Sequence, residues 1–488
     1  MNNKFLFVNL SIKSGFIGVN HGIAYLVPVV KKYSYDVACL NIQKEMSCED
    51  FLSKISEYGP AIVGFSCTTN QLKYLKKYSK ALTKCPEILQ IAGGVASTLD
   101  PDWILTKTDI KGACIGEGEV PIANLLSTLK KGQEITETEG FYWKLNGAVK
   151  RNEVPDFVAD LSNLEFPDYS VFEKDLVSYD GILHIMLSRG CPYSCFHCCN
   201  KALSKVYPSS KEYFRLPSPD HSVALIENTI DQYPKTRFIG FEDDLLIANR
   251  AWFDEFSNEY SKRIHLPYRL CARPECVDQS IVKRLKNSGC TQVSIGIESG
   301  NEEIRKNLLN RCHTNALLIE KCSLIKDAGI NLFTFNIVGF PGETRKEMLD
   351  TYELNKIISP DSGDCFYFYP YENTELYNIC KKKGLLKSEA ETLEITNYCS
   401  MPSIQMDAEQ ERACIHFHDK LIQYFAKQRL LLALAHLPSG IRKYPTAFYL
   451  WGRSFAESRP WLTGLVVMIY RASGIRPIMM HLMKNNPK

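Results

Sequence analysis

Short apolar runs alternate along this chain with longer stretches in which apolar residues recur at helical spacing. In the first 130 residues the short runs are Phe5 to Val8, Val37 to Leu40, Ile62 to Phe65, Ile88 to Ala92 and Ala113 to Ile115, a pattern that predicts five strands. Between them Glu49 to Tyr58, Gln71 to Leu82 and Val120 to Lys130 read as helices. Strands and helices in alternation predict an α/β fold, here a doubly wound, Rossmann-like parallel sheet with helices on both faces. Ligands of such sheets bind at the carboxyl ends of the strands. The sequence places Ser66-Cys-Thr-Thr69, Gly93-Gly94 and Gly116-Glu-Gly-Glu119 there, small residues and donors that let a large polar ligand approach the backbone. Plain turn formation is the alternative reading of the same residues.

Residues 131–180 are less regular, with Pro155, Pro167 and clustered Asp, Asn and Gly, and read as a hairpin-like excursion followed by a linker. A second series then begins: His184 to Leu187, Arg237 to Phe241, Tyr268 to Cys271, Gln292 to Ile297, Leu332 to Val338 and Cys365 to Phe368. Six strands, most of them separated by a helical stretch, predict a partial (β/α)6 TIM-like barrel, whose chemistry belongs on the loops after the strands. The tail from about 385 is mostly helical in pattern, with aromatics and arginines through Leu421 to Leu437 and Tyr444 to Tyr470. Its longest apolar run, Leu462 to Tyr470, is far short of the roughly 20 residues of a membrane span. Packing against the barrel is expected; the alternative is that Arg442, Lys443, Arg453, Arg459 and Arg471 beside Trp451 and Trp461 touch lipid. The division expected is 1–135, a linker 136–180, the barrel 181–380 and a helical region 381–488.

A chain of 488 residues exceeds one compact core, and 45% hydrophobic with 23% charged residues excludes wholesale disorder. Lys+Arg 58 against Asp+Glu 55 gives +3, no general field for nucleic acid or anionic membrane. Eighteen cysteines fit either a disulfide framework or thiols in a reducing compartment. Met1 to Leu10 lacks the apolar core of a signal peptide, so a cytoplasmic protein is expected. Cys39, Cys114 and Cys290 sit inside apolar runs and read as small hydrophobes.

The chemistry-bearing constellation follows the first barrel strand: Ser188-Arg-Gly-Cys191-Pro-Tyr-Ser-Cys195-Phe-His-Cys198, with three cysteines spaced C-x3-C-x2-C. Iron-sulfur clusters are usually held by four cysteines. Three leave one iron open to a substrate or cofactor. Zinc, with His197 or Cys199 as the fourth ligand, is the alternative, and adjacency to Cys198 strains such a site.

This loop on a six-strand partial barrel resembles the radical S-adenosylmethionine enzymes, and the preceding doubly wound domain resembles their cobalamin-binding subgroup. The resemblance covers roughly residues 5 to 380 and includes Gly22-Ile-Ala-Tyr-Leu26, Gly93-Gly94, Gly116-Glu-Gly-Glu119, Leu164-Glu-Phe-Pro-Asp168 and Ser294-Ile-Gly-Ile-Glu-Ser-Gly300. It implies that Cys191, Cys195 and Cys198 bind a 4Fe-4S cluster, whose fourth iron chelates the amino and carboxylate groups of S-adenosylmethionine. His197 stands where the family usually has an aromatic near the adenine. Asp243 and Asp244, in Phe241-Glu-Asp-Asp244, occupy the place of the motif that holds the methionine ammonium, with a helix N-cap as the alternative. Glu298 matches the position that receives the ribose hydroxyls, or is a structural carboxylate at the barrel mouth. Arg273 faces the cofactor carboxylate or the substrate, or pairs with Glu275 or Glu298. Ser66, Thr68, Gly93, Gly94 and Glu117 are the cobalamin-pocket candidates, with a turn role as the alternative. The loop Asn9 to Gly15 lacks the D-x-H-x-x-G pattern of a lower axial histidine, and His21 is expected to cap or pack. Gly339-Phe-Pro-Gly-Glu343 and Tyr367 to Glu375 resemble family loops, the latter at the substrate pocket.

The resemblance implies an oxygen-sensitive enzyme that methylates an unactivated carbon of a small-molecule or natural-product substrate. In that scheme a 5′-deoxyadenosyl radical abstracts hydrogen and methylcobalamin delivers the methyl group, with an external electron donor such as flavodoxin or ferredoxin. Nucleic acid is not expected as a partner, nor a membrane span, while peripheral membrane contact stays open. Ring formation or oxidative rearrangement with the same cofactors is the alternative. From other classes come an iron-sulfur or cobalamin sensor without turnover and an RNA-methylthiolating enzyme, the latter opposed by the lack of a second, N-terminal cysteine trio.

Overall fold

The computed structural model describes residues 3–13 and 19–435. The basic and aromatic stretch at Arg442, Lys443, Trp451, Arg453, Arg459, Trp461 and Arg471, and the run Leu462 to Tyr470, lie outside the described residues.

Among the described residues the strands form two seven-stranded sheets. In the first, β1 (Lys4–Leu10), β2 (Asp36–Ile42), β3 (Ile62–Ser66), β4 (Leu89–Gly93) and β5 (Gly112–Cys114) run parallel in the order β2-β1-β3-β4-β5. This order puts a topological switch between β1 and β3, where open α/β sheets take their ligands. The helices are α1 (His21–Lys32), α2 (Cys48–Tyr58), α3 (Leu72–Ala81), α4 (Val95–Leu99), α5 (Pro101–Lys107) and α6 (Glu119–Lys130). Five strands were expected and seven are present, because the excursion after α6 is an antiparallel hairpin, β6 (Phe141–Leu145) and β7 (Ala148–Arg151), that extends the sheet beyond β5. Gly112 lies opposite Trp143, and a Cβ on it would stand 2.6 Å from the indole. The missing side chain is what lets the large ring lie across β5.

The linker is docked rather than loose. Pro28 inside α1 has no amide hydrogen, so the carbonyl of Ala24 one turn earlier has no helical partner. The amide of Asp168 donates to it at 2.9 Å, and Lys31 pairs with the Asp168 carboxylate at 2.6 Å. Tyr169 and Phe172 then enter an apolar core that runs from Phe5 and Phe7 through Ile23, Val27 and Val30 to Leu183, Ile185 and Ile239. The two sheets therefore share one core.

After the short helix α7 (Lys174–Val177), the second sheet comprises the edge strand β8 (Ser178–Tyr179), and β9 (Ile182–Ile185), β10 (Phe238–Phe241), β11 (Tyr268–Ala272), β12 (Cys290–Glu298), β13 (Asn331–Val338) and β14 (Ser362–Tyr367) in sequential order. β9 to β14 are parallel and form a curled half-barrel. Between them come α8 (Cys199–Ser204), α9 (Pro219–Gln232), α10 (Arg250–Arg263), α11 (Gln279–Asn287), α12 (Asn315–Asp327) and α13 (Arg345–Ile358). Burial alternates with strand period: the buried set packs on the helices, while Arg269, Cys271, Phe333, Phe335, Ile337, Ser362, Asp364 and Phe366 are half-buried on the concave face. Then follow α14 (Glu375–Lys382), α15 (Glu389–Glu394) and α16 (Ala408–Ala435). α16 closes the free side of β14, where Phe425 fills the space over Gly363 and Arg429 reaches Ser362 and Asp364. No helix among the described residues is long and apolar enough to cross a membrane, and all eighteen cysteines are free thiols.

Candidate active site

The cysteine loop leaves β9 and is fixed from below by Asp243. That buried carboxylate accepts from the amides of Leu187 (3.0 Å) and Ser188 and from the Ser188 hydroxyl at 2.5 Å. Burial pushes Asp243 up to about 7 against those donors. Neither Asp243 nor Asp244 caps a helix; Asn249 caps α10. Asp244 is exposed and accepts from Asn200 at 2.9 Å. Glu242, between β10 and these aspartates, turns to the concave face, 2.6 Å from His184 Nδ1 and 2.8 Å from Arg269.

Arg273 sends one arm to Cys195, Nη1 lying 2.9 Å from Sγ, and another to Glu275 at 2.7 Å, with its guanidinium 3.8 Å over the Tyr193 ring. The guanidinium thereby ties the middle cysteine of the loop to Glu275. Hydrogen bonding with Cys199 lowers Cys198 to about 7, whereas burial pushes Cys191 up to about 12. The His197 Nδ1 is buried with no partner among the described residues, and burial holds its ring down at about 3, so it is neutral. Among the described residues no three His, Cys, Asp or Glu side chains are grouped to hold a single metal ion. A cluster asks something else, a separate iron for each thiolate, and the cation on Cys195 and the orphaned imidazole fit it.

Glu298 ends β12 in the left-handed region, φ +62°, after a register shift between Gly296 and Glu298. Such a bulge re-aims the side chain, and here it swings over Gly296, where a Cβ would collide with the carboxylate. Arg311 holds it there, 3.0 Å from Oε1, while donating to the Gly296 carbonyl at 2.8 Å. Arg273 pairs with Glu275; the partner of Glu298 is Arg311.

On the first sheet, Asn20 Nδ2 donates to Asn9 Oδ1 at 2.9 Å and to Ser66 Oγ at 3.0 Å, binding the ends of β1 and β3. Gly94, at φ +90°, lies so close that a Cβ would be 3.3 Å from the Cys67 carbonyl and 3.4 Å from Ser66 Oγ. Ser66, Gly93 and Gly94 thus form one bare stretch of strand ends. Thr68 turns its hydroxyl to Asn70 at 2.5 Å. Glu117 faces elsewhere: its carboxylate lies between Arg189 (2.8 Å) and Arg215, on the cysteine-loop side of the domain contact. Sequence reading missed Arg189, Arg215, Arg311 and Glu242; the one local signal was the position of Arg189 two residues before Cys191.

His21 starts α1, hydrogen-bonded through Nδ1 to Tyr169 at 3.0 Å, with a buried Nε2 that has no partner among the described residues. Burial, against Glu242 and together with His184, pushes it down to about 4. A base whose folded value lies below its unfolded one stabilises the fold above the unfolded value, and that stability is lost as pH falls toward the folded value. Going from pH 7.5 to 5 should remove about 2 kcal/mol through His21. Urea denaturation of His21→Gln, which keeps an acceptor for Tyr169 but does not titrate, should show a shallower acid slope than wild type by that amount; parallel slopes would contradict this.

A family model for the B12 binding domain matches residues 9–126, and one for the Radical SAM superfamily matches residues 185–354. Both lie in one chain, so the protein belongs to the cobalamin-binding radical S-adenosylmethionine enzymes, whose cofactors are a 4Fe-4S cluster, S-adenosylmethionine and cobalamin. It is similar to the uncharacterized methyltransferase PH0819 of Pyrococcus horikoshii, 27% identical over 382 residues that cover 76% of this chain and 80% of the relative. The cytidylyl-2-hydroxyethylphosphonate methyltransferase of Streptomyces wedmorensis is 23% identical, covering 77% and 80%. In fold the chain resembles the radical S-adenosylmethionine methyltransferase TsrM of Kitasatospora setae, solved with tryptophan substrate and a cofactor analogue, with a TM-score of 0.66, 16% identity and coverage of 84% and 83%.

Proposed function

We propose that the protein is a cytoplasmic, cobalamin-dependent radical S-adenosylmethionine methyltransferase that acts on an unactivated carbon of a small molecule. The observation that carries this reading is the meeting of two strand-end surfaces. The loop after β5 of the first sheet closes onto the cysteine loop after β9 of the second, through Glu117, Glu119 and Arg189. Cofactors held on these two edges supply one-electron cleavage of a sulfonium and a transferable methyl group. Cys191, Cys195 and Cys198 would hold the cluster, with Arg273 hydrogen-bonded to the Cys195 sulfur. His197, neutral and with no partner for Nδ1 among the described residues, borders the cofactor. The exposed Asp244 receives its ammonium, while Asp243 keeps the loop in place. Glu298, set by Arg311, meets the ribose. Ser66, Thr68, Gly93 and Gly94 border the corrin, and Glu117 acts only at the domain contact.

The concave face of the barrel suits a small substrate with an apolar body and a polar end. His184, Glu242 and Arg269 offer polar contacts from β9 to β11, and Phe333, Phe335 and Phe366 form an apolar wall on β13 and β14, with ring centroids 4.9 and 6.3 Å apart in succession. The names of the methyltransferase relatives favour methyl transfer over rearrangement. Eighteen free thiols suit a reducing compartment, where a flavodoxin or ferredoxin supplies the electron.

The test is anaerobic incubation of the reconstituted enzyme with methyl-labelled S-adenosylmethionine, a flavodoxin reducing system and small-molecule extracts, read by mass spectrometry. A product carrying the labelled methyl is expected. A product formed with cofactor turnover but without label would replace methylation by rearrangement.

A further inference from the structure

The domain contact is built more firmly than adhesion requires. Arg189 lies two residues before Cys191, and its fork splits: Nη1 donates to Glu117 at 2.8 Å and Nη2 to Glu119 at 2.5 Å. Both carboxylates come from the loop and first turn after β5, and the guanidinium sits 4.9 Å over the Tyr25 ring of α1. Arg215 completes the arrangement. Its backbone exchanges two hydrogen bonds with that of Arg189, at 3.0 and 2.9 Å, and its guanidinium reaches Glu117 and, at 2.6 Å, the Val158 carbonyl. Side-chain exposure is 16% for Arg189, 15% for Glu117, 8% for Glu119 and 5% for Arg215. An ion network this enclosed is screened little and tolerates few alternative geometries.

Both attachment points are close-packed. A Cβ on Gly190 would stand 2.5 Å from the Tyr213 carbonyl, and one on Gly116 would collide with the Tyr207 hydroxyl, which accepts from the Glu117 amide at 2.5 Å. The network also continues toward the bare strand ends of the first sheet. The Gly116 amide donates to Thr98 Oγ1 at 2.9 Å, and Thr98 donates through both its amide and its hydroxyl to the Gly94 carbonyl, each at 3.2 Å. An unbroken series of contacts therefore joins Gly94 to Thr98, Gly116, Glu117, Arg189 and the backbone leading into Cys191. On the other side Asp243 fixes Ser188, so the start of the cysteine loop has one support from its own barrel and one from the other domain.

We propose that Arg189 is a positioning residue that couples the two cofactor edges, so that filling the Gly94 edge with cobalamin sets the cysteine loop for S-adenosylmethionine. The inference rests on the reading that both edges bind cofactors. Lysine cannot replace arginine here, because a point charge does not bridge two carboxylates with fixed geometry. Coupling of this kind is reciprocal: each ligand must tighten the other by the same factor.

The experiment uses full-length, cluster-reconstituted protein without reductant, so that no turnover occurs, and measures S-adenosylmethionine affinity with and without hydroxocobalamin, then the reverse. Wild type should show an increase of about tenfold in both directions. Arg189→Lys should keep its iron and bind each ligand, with the increase reduced below about twofold. A salt bridge that only glues the domains would lower stability in this variant and leave the coupling unchanged, which would overturn the proposal. If Arg189→Lys fails to hold a cluster, Glu119→Gln, which takes the negative charge from one arm of the fork, should also weaken the coupling, and full coupling there would overturn it. Wild type that binds both ligands independently refutes the coupling alone, whereas wild type that binds neither refutes the functional reading beneath it.

Discussion

Alanine at any one of Cys191, Cys195 or Cys198 is expected to strip the cluster from the reconstituted protein and to lower 5′-deoxyadenosine formation by more than about a thousandfold. The three thiols leave one loop after β9 and each would hold a separate iron, so two remaining thiolates leave a second iron without its ligand. Cys199→Ala is the control. Cys199 begins α8 and hydrogen-bonds its neighbour Cys198, so its loss should alter the ease with which Cys198 ionises but leave iron content intact. Iron analysis and the visible absorption of the four variants decide the matter: equal loss in Cys199→Ala, or retention in any of the triad variants, would contradict the assignment.

Gly300→Ala is expected to destabilise the protein by about 3 kcal/mol, the upper end of what overpacking ordinarily costs. A Cβ there would collide with the backbone carbonyl of Asp350 and stand 2.5 Å from the Thr351 Cα, both in α13, while the Gly300 amide donates to Thr351 Oγ1 at 2.8 Å. Backbone cannot rotate away as a flexible side chain can, so α13 or the end of β12 must move, and Glu298 with it. Gly342→Ala separates space from conformation. It has φ +85° but nothing within 4 Å of an added Cβ, so only the left-handed penalty of about 1 kcal/mol applies. Urea denaturation of both variants measures the difference; similar losses would mean that α13 yields easily.

The two rhythms of the fold were legible because each strand is an apolar run bounded by turn residues, and each observed strand of the barrel lies within a few residues of its expected run. The hairpin β6–β7 was visible as an excursion, but its membership in the first sheet depends on Trp143 meeting Gly112, a pairing across 31 positions that periodicity does not carry. The same limit governs the site. The cysteine loop is local, and its spacing together with its place after the first barrel strand carried the resemblance. Partner choice among charges is not local: Glu117 reaches Arg189 and Arg215 in other elements, and Asp243 serves the amides of Leu187 and Ser188 across the β9–β10 interval. Glu298 shows a further cause. Strand alternation alone would aim its carboxylate regularly, and a bulge with a left-handed φ turns it to Arg311 instead.

Anaerobic reconstitution with iron, sulfide and cobalamin tests whether one chain joins a cluster able to cleave S-adenosylmethionine to a cobalamin site. Metal and cobalamin are then counted per chain, and 5′-deoxyadenosine is assayed after reduction. About four irons, bound cobalamin and 5′-deoxyadenosine are expected in the same preparation. Zinc in place of iron, or an intact cluster that yields no 5′-deoxyadenosine with all three cysteines present, would contradict this expectation.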